Sequence, residues 1–151
     1  MGCDIHGVFQ AKDDDGKWID VPHCLRFQRD YTLFGVLAGV RHYPEDVEPI
    51  AEGRGYPEGF EVDENDRHPT DPECLDEWGR RYTLHRRRRR DPEERHEWMG
   101  DHSFSWATGE EMIAWWKANG AKYPSTEYFF AEVRELTLTH RTLRFVFGFD
   151  S

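Results

Sequence analysis

The chain has 151 residues, 37% hydrophobic, 15% aromatic and 33% charged, a size and ring content that support one folded domain over 1–151 and argue against disorder. Thirty acidic against 20 basic residues leave a net charge of −10, which argues against broad nucleic-acid binding. No apolar run approaches the roughly 20 residues of a membrane span. The opening Met1-Gly2-Cys3-Asp4-Ile5-His6 has neither the order of a signal peptide nor the hydroxyl residue of a myristoylation motif. No membrane partner and a cytoplasmic location are therefore expected.

Residues 2–12 alternate, with Cys3, Ile5, Phe9 and Ala11 on one face and Asp4, His6 and Gln10 on the other, the period of a half-buried strand. Asp13-Asp14-Asp15-Gly16 is a turn signal, and Lys17 to Val21 reads as the return strand of a hairpin, stopped by Pro22. Asp30 then caps a helix carrying Leu33, Val36, Leu37 and Val40, with Gly39 near its end. From His42 to about Thr70 the chain is rich in proline, glycine and acids and reads as a long irregular region, often functional in a compact domain. A short helix over Asp71 to Arg81, with Leu75 and Trp78 inward, is expected next.

His85 and the arginines Arg86 to Arg90 are followed at once by Asp91, Glu93 and Glu94. The run reads as a solvated loop, with a local phosphate contact as the alternative. Thr108-Gly109-Glu110-Glu111 is a capping box ahead of Met112, Ile113, Trp115 and Trp116, and Asn119-Gly120 is a stop signal. Ser125 to Leu136 reads as another helix, through Phe129, Val133 and Leu136. Leu143, Phe145, Phe147 and Phe149 alternate with Arg144, Val146 and Gly148 in a closing strand. The expected fold is α+β, a small antiparallel sheet (N-terminal hairpin plus C-terminal strand) with about three helices packed on one face. Cys3, Cys24 and Cys74 form no Cys-x-x-Cys pair and indicate neither a zinc knuckle nor a disulfide framework.

Two segments concentrate the chemistry. Asp4 and His6, two apart on a strand, leave the same face, where they could hold a divalent metal, do acid–base work, or be an ordinary polar surface. Asp101-His102-Ser103-Phe104-Ser105-Trp106, read as a loop just before the Thr108-capped helix, sets an acid, an imidazole and hydroxyls near free amide donors that favour an anion. Equally, Asp101 and Ser105 could simply order that loop. Asp4-x-His6 and Gly100-Asp101-His102 resemble the first and last metal motifs of metallophosphoesterases, without that family's middle motif or its length. On this reading Asp4, His6, Asp101 and His102 are candidate ligands for zinc, manganese or magnesium, and Asp4, His6, His102 and Ser105 are candidate catalytic groups. Arg41 and Arg54 (the latter in Gly53-Arg54-Gly55-Tyr56-Pro57) could bind phosphate, and Tyr31, Tyr56 and Trp106 could stack on a base or sugar. Ion pairs and core packing are the alternatives for these residues.

Gly2-Cys3-Asp4-Ile5-His6, Arg29-Asp30-Tyr31-Thr32-Leu33-Phe34 with Gly39-Val40-Arg41, Arg54-Gly55-Tyr56-Pro57, Asp101 to Trp106, and Phe145-Val146-Phe147-Gly148-Phe149-Asp150 together resemble one family of uncharacterised small proteins encoded by bacteriophages and bacteria. The resemblance spans nearly the whole chain but not the arginine run. It implies an accessory or counter-defence role in the host cytoplasm, directed at a small phosphorylated or nucleotide ligand. Three expectations follow: metal-assisted phosphoester hydrolysis, sequestration of a small anionic ligand without chemistry, and a virion or host-interaction component.

Overall fold

The structure, a computed structural model, describes residues 2–63, 74–75, 77–78, 81–82 and 95–151. The chain divides into two compact units, Met1–Glu58 with Met99–Ser151 and Gly59–Trp98.

The first unit is built on alternation. Strand β1, Asp4–Lys12, turns at Asp13, whose carboxylate accepts from the Asp15 and Lys17 amides, into β2, Trp18–Val21. Helix α1, Tyr31–Ala38, begins where Asp30 accepts from the Leu33 amide and ends at Gly39 with φ 70°, a left-handed terminus that favours glycine.

In the second unit, β3, Cys74–Leu75, pairs antiparallel with β4, Arg81–Tyr82. This corrects the helix expected over Asp71 to Arg81. Trp78, expected to face inward, is 71% exposed, and a helix as short as the expected one is costly to nucleate without a buried face. The rest of that expected helix and the arginine run lie outside the described residues. In the same unit Phe60 and His96 stack at 4.0 Å beside a bridge from Val62 to His96.

Back in the first unit, β5, His102–Thr108, leads directly into α2, Gly109–Asn119, and α3, Glu127–Thr139, precedes β6, Leu143–Asp150. The strand order is β2-β1-β6-β5, antiparallel throughout. The expected sheet is therefore present with a fourth strand, β5, where a loop was expected. Ile5, Phe9, Ala11, Ala107, Phe145, Phe147 and Phe149 join Phe34, Leu37, Met112, Phe129 and Val133 from the three helices in one core. The sheet with helices on its phenylalanine face is the expected α+β arrangement.

The opposite sheet face is unusual in holding a buried cation. Arg144, 6% exposed, donates through Nε to Gln10 at 2.9 Å and lies 3.9 Å from the Trp18 ring. Burial pushes its guanidinium down to about 10, still charged at neutral pH. No helix among the described residues is long and apolar enough to cross a membrane.

Candidate functional site

Alternation along β1 sends Asp4 and His6 to one face, as expected, and the β1–β6 register sets Asp4 opposite Asp150 and His6 opposite Gly148. Residues paired across an antiparallel ladder share a face. Asp150 thus joins them, and His6 Nε2 lies 2.8 Å from its Oδ2. Arg29, arriving from the segment before α1, grips both oxygens of Asp4, Nε to Oδ1 at 2.8 Å and Nη2 to Oδ2 at 3.4 Å. That fork holds the Asp4 carboxyl below its ordinary range, chiefly through the hydrogen bond, and raises the Arg29 guanidinium in return. Tyr31 and Asp150 also act on Arg29 electrostatically. The Tyr31 hydroxyl accepts from the Cys3 amide, and Arg41, at φ 65°, lies 5.4 Å from the Tyr31 ring. Four expected residues, Asp4, His6, Tyr31 and Arg41, therefore share one neighbourhood with Arg29 and Asp150, joined by two ion pairs, a ring contact and the electrostatic pull of Tyr31 and Asp150 on Arg29.

The second segment reaches the same end of β6 from its other side. The Asp101 amide donates to the Phe149 carbonyl at 2.7 Å, and His102 is in register with Phe149. His102 Nε2 lies 3.0 Å from Ser151 Oγ, and its Nδ1 lies 2.8 Å from Ser103 Oγ. Successive residues at the end of β6 thus serve the two histidines, Asp150 for His6 and Ser151 for His102. This is juxtaposition without a shared cage. Among the described residues no group of three or more His, Cys, Asp or Glu side chains is arranged to hold a metal ion. Asp4, His6, Asp101 and His102 do not fit a divalent ion as a set, because a guanidinium already occupies both oxygens of Asp4 and repels a second cation there.

Ser105, Arg54 and Trp106 form a separate group whose members satisfy one another. Ser105 is fully buried and its hydroxyl accepts from the Arg54 amide at 3.2 Å. The Arg54 guanidinium is shared among the Glu111 carboxylate at 2.6 and 2.8 Å, the Trp106 carbonyl and the Ile50 carbonyl, and it lies 5.4 Å from the Trp106 ring. These contacts, with the Gly55 amide donating to the Phe104 carbonyl, fasten the 50–55 loop to β5, an edge strand of the sheet. Tyr56 packs on Phe104, ring centroids 4.7 Å apart. The amide donors expected to receive an anion at the start of α2 meet the chain's own capping box: Thr108 Oγ1 accepts from Glu111 N, and Glu111 Oε1 accepts from Thr108 N. Two glutamates in the first turn supply the negative charge.

Arg54 and these cap bonds hold the Glu111 carboxyl down to about 2 from an ordinary 4.5. A carboxyl depressed in the folded state stabilises it above the unfolded value and ceases to do so as pH falls through the folded one. Wild-type protein is thus expected to lose on the order of 1–2 kcal/mol between about pH 4.5 and 2 that a Glu111→Gln variant does not lose, after discounting for exposure. Urea melts of both proteins across that range check it; parallel acid limbs would contradict it.

An open depression of about 290 Å3 lies beside the hairpin, lined by Gly7, Val8, Phe9 and residues 20–23. None of the expected site residues lines it. Its His23 is wedged 5.3 Å from Phe9 and 5.4 Å from Phe27, accepts from the Leu25 amide, and is held toward the neutral form by burial.

The residues of the site that the sequence reading did not give a chemical role are Arg29 and Asp150. Asp150 carries a signal in hindsight: it has the parity of Gly148 and Val146 on a strand whose other face is phenylalanine. Comparison with known proteins yields no match to a family model, a curated protein or a solved structure.

Proposed function

We propose that the chain is a phage-type accessory protein that binds a small phosphorylated or nucleotide ligand at the Asp150 end of β6 and cleaves its phosphoester, in evasion of host defence. The observation that carries the reading is the 2.8 Å pair of His6 and Asp150 beside the Asp4–Arg29 fork on one sheet face. An imidazole oriented by a carboxylate can pass protons to and from a reacting oxygen. Arg29 and Arg41 bring planar guanidinium forks of the kind that match phosphate oxygens, and Tyr31 brings a ring beside them. The resemblance to a phage-encoded family supports the setting.

Sequestration without chemistry is the second reading, favoured by the hold of Arg29 on both oxygens of Asp4, which gives that carboxylate a positioning role. A melting-temperature screen with inorganic phosphate, mononucleotides and cyclic dinucleotides, with product chromatography in chelator and in zinc, manganese or magnesium, tests both. At least one nucleotide is expected to stabilise the wild type, by about 2.7 kcal/mol at 100-fold excess over its Kd. Arg29→Ala should lose that shift. His6→Gln should keep it while turnover falls about 100-fold or more. Stabilisation without turnover selects sequestration, and no shift with any of these ligands overturns both readings.

A further inference from the structure

β5 joins β6 through a bulge: three residue steps from His102 to Ser105 face two from Phe149 to Phe147. The irregularity falls on Ser103, whose φ of 57° lies in the left-handed region. Glycine enters that region freely and serine does not, and bulges often re-aim a side chain beside a functional site. The side chain that is re-aimed here is a hydroxyl, with Ser103 Oγ 2.8 Å from His102 Nδ1. The ring is held on its other nitrogen by Ser151 Oγ at 3.0 Å and is stacked beside Phe149 with centroids 6.2 Å apart. In the tautomer with the proton on Nε2, that hydrogen bond runs to Ser151, and Nδ1 presents its lone pair to the Ser103 hydroxyl. This is the arrangement of a nucleophile with its base. Ser105, the other hydroxyl in the segment, is buried and committed to the Arg54 amide.

We propose that Ser103 is a nucleophilic serine activated by His102, acting on a phosphoester electrophile. Ser103 Oγ attacks phosphorus, the Oγ–P bond forms, and the bond to the leaving alkoxide breaks with its electron pair. The Oγ proton moves to His102 Nδ1 and from there to the leaving oxygen. Water then attacks phosphorus, the Oγ–P bond breaks with its electron pair, and the proton that water gives up to the same nitrogen passes to Ser103 Oγ, restoring the serine. The proposal rests on the phosphoester reading only for the class of substrate; the activated serine is a property of the bulge.

An alkyl fluorophosphonate tests it on the full chain, because the same attack expels fluoride and leaves a stable adduct that peptide mass spectrometry locates. An adduct is expected at Ser103 and at no other serine. Ser103→Gly, which suits the left-handed backbone, should give none, and His102→Gln should label about 100-fold more slowly or worse. No adduct at Ser103, or equal rates with and without His102, overturns the proposal. If labelling fails while nucleotides still stabilise the wild type, the serine proposal falls alone. If Ser103 labels and no nucleotide stabilises the protein, the ligand reading falls instead.

Discussion

Phe145→Ala is expected to destabilise the protein by about 3–5 kcal/mol, the usual cost of removing a buried ring and leaving its cavity. The Phe145 ring is fully buried and sits at the centre of the aromatic layer, 4.6 Å from Phe9, 5.3 Å from Phe129 and Phe147, and 5.6 Å from Phe27. It thus joins β1, β6, α3 and the segment before α1. It also lies over Gly7, where a Cβ would fall 2.3 Å from the ring, so glycine on β1 is the recess this ring occupies. Against a typical total of about 5–15 kcal/mol, the loss should move the urea midpoint steeply with little change in slope. A loss below about 1 kcal/mol would mean that the ring is not the centre of the core.

Gly100→Ala is expected to cost about 2–4 kcal/mol, from a strained φ together with a backbone collision. Gly100 has φ 100°, and an added Cβ would lie 2.3 Å from the Phe149 carbonyl oxygen and 2.8 Å from its nitrogen. Neither atom can rotate away, so the turn that delivers the Asp101 amide to that carbonyl must open. Gly53→Ala is the control: φ is 66° but nothing lies within 4 Å, so about 1 kcal/mol of strain is all that is expected. Thermal melts of the two variants check the contrast; equal losses would contradict the close approach at Gly100.

The hairpin, α1, the Thr108–Glu111 box and β6 were legible because large side chains mark their buried faces. β5 was not, because its core face carries the small residues Ser105 and Ala107, while Phe104 lies over Gly148 and Trp106 beside Val146 on the opposite face. With its bulky residues on the outer side, a strand reads as a loop. Asp4 and His6 were legible as a pair because strand parity is a local property. Their partner Asp150 depends on a register 144 residues away in sequence, which no local pattern encodes. The left-handed Ser103 was invisible for the same reason: only the two-for-three match against β6 demands it. Ser105, Arg54 and Trp106 looked like site residues because hydroxyls, cations and rings fasten a loop with the chemistry that also binds ligands.

The two histidines beside Asp150 and Ser151 are expected to meet the ligand together. Long-range 1H–15N spectra of the imidazoles during titration with inorganic phosphate and with the stabilising nucleotide test it most directly. The His6 and His102 resonances are expected to move together and saturate, while those of His23, His96 and His140 stay in place. Movement confined to histidines other than His6 and His102, or no movement at saturating nucleotide, would contradict it.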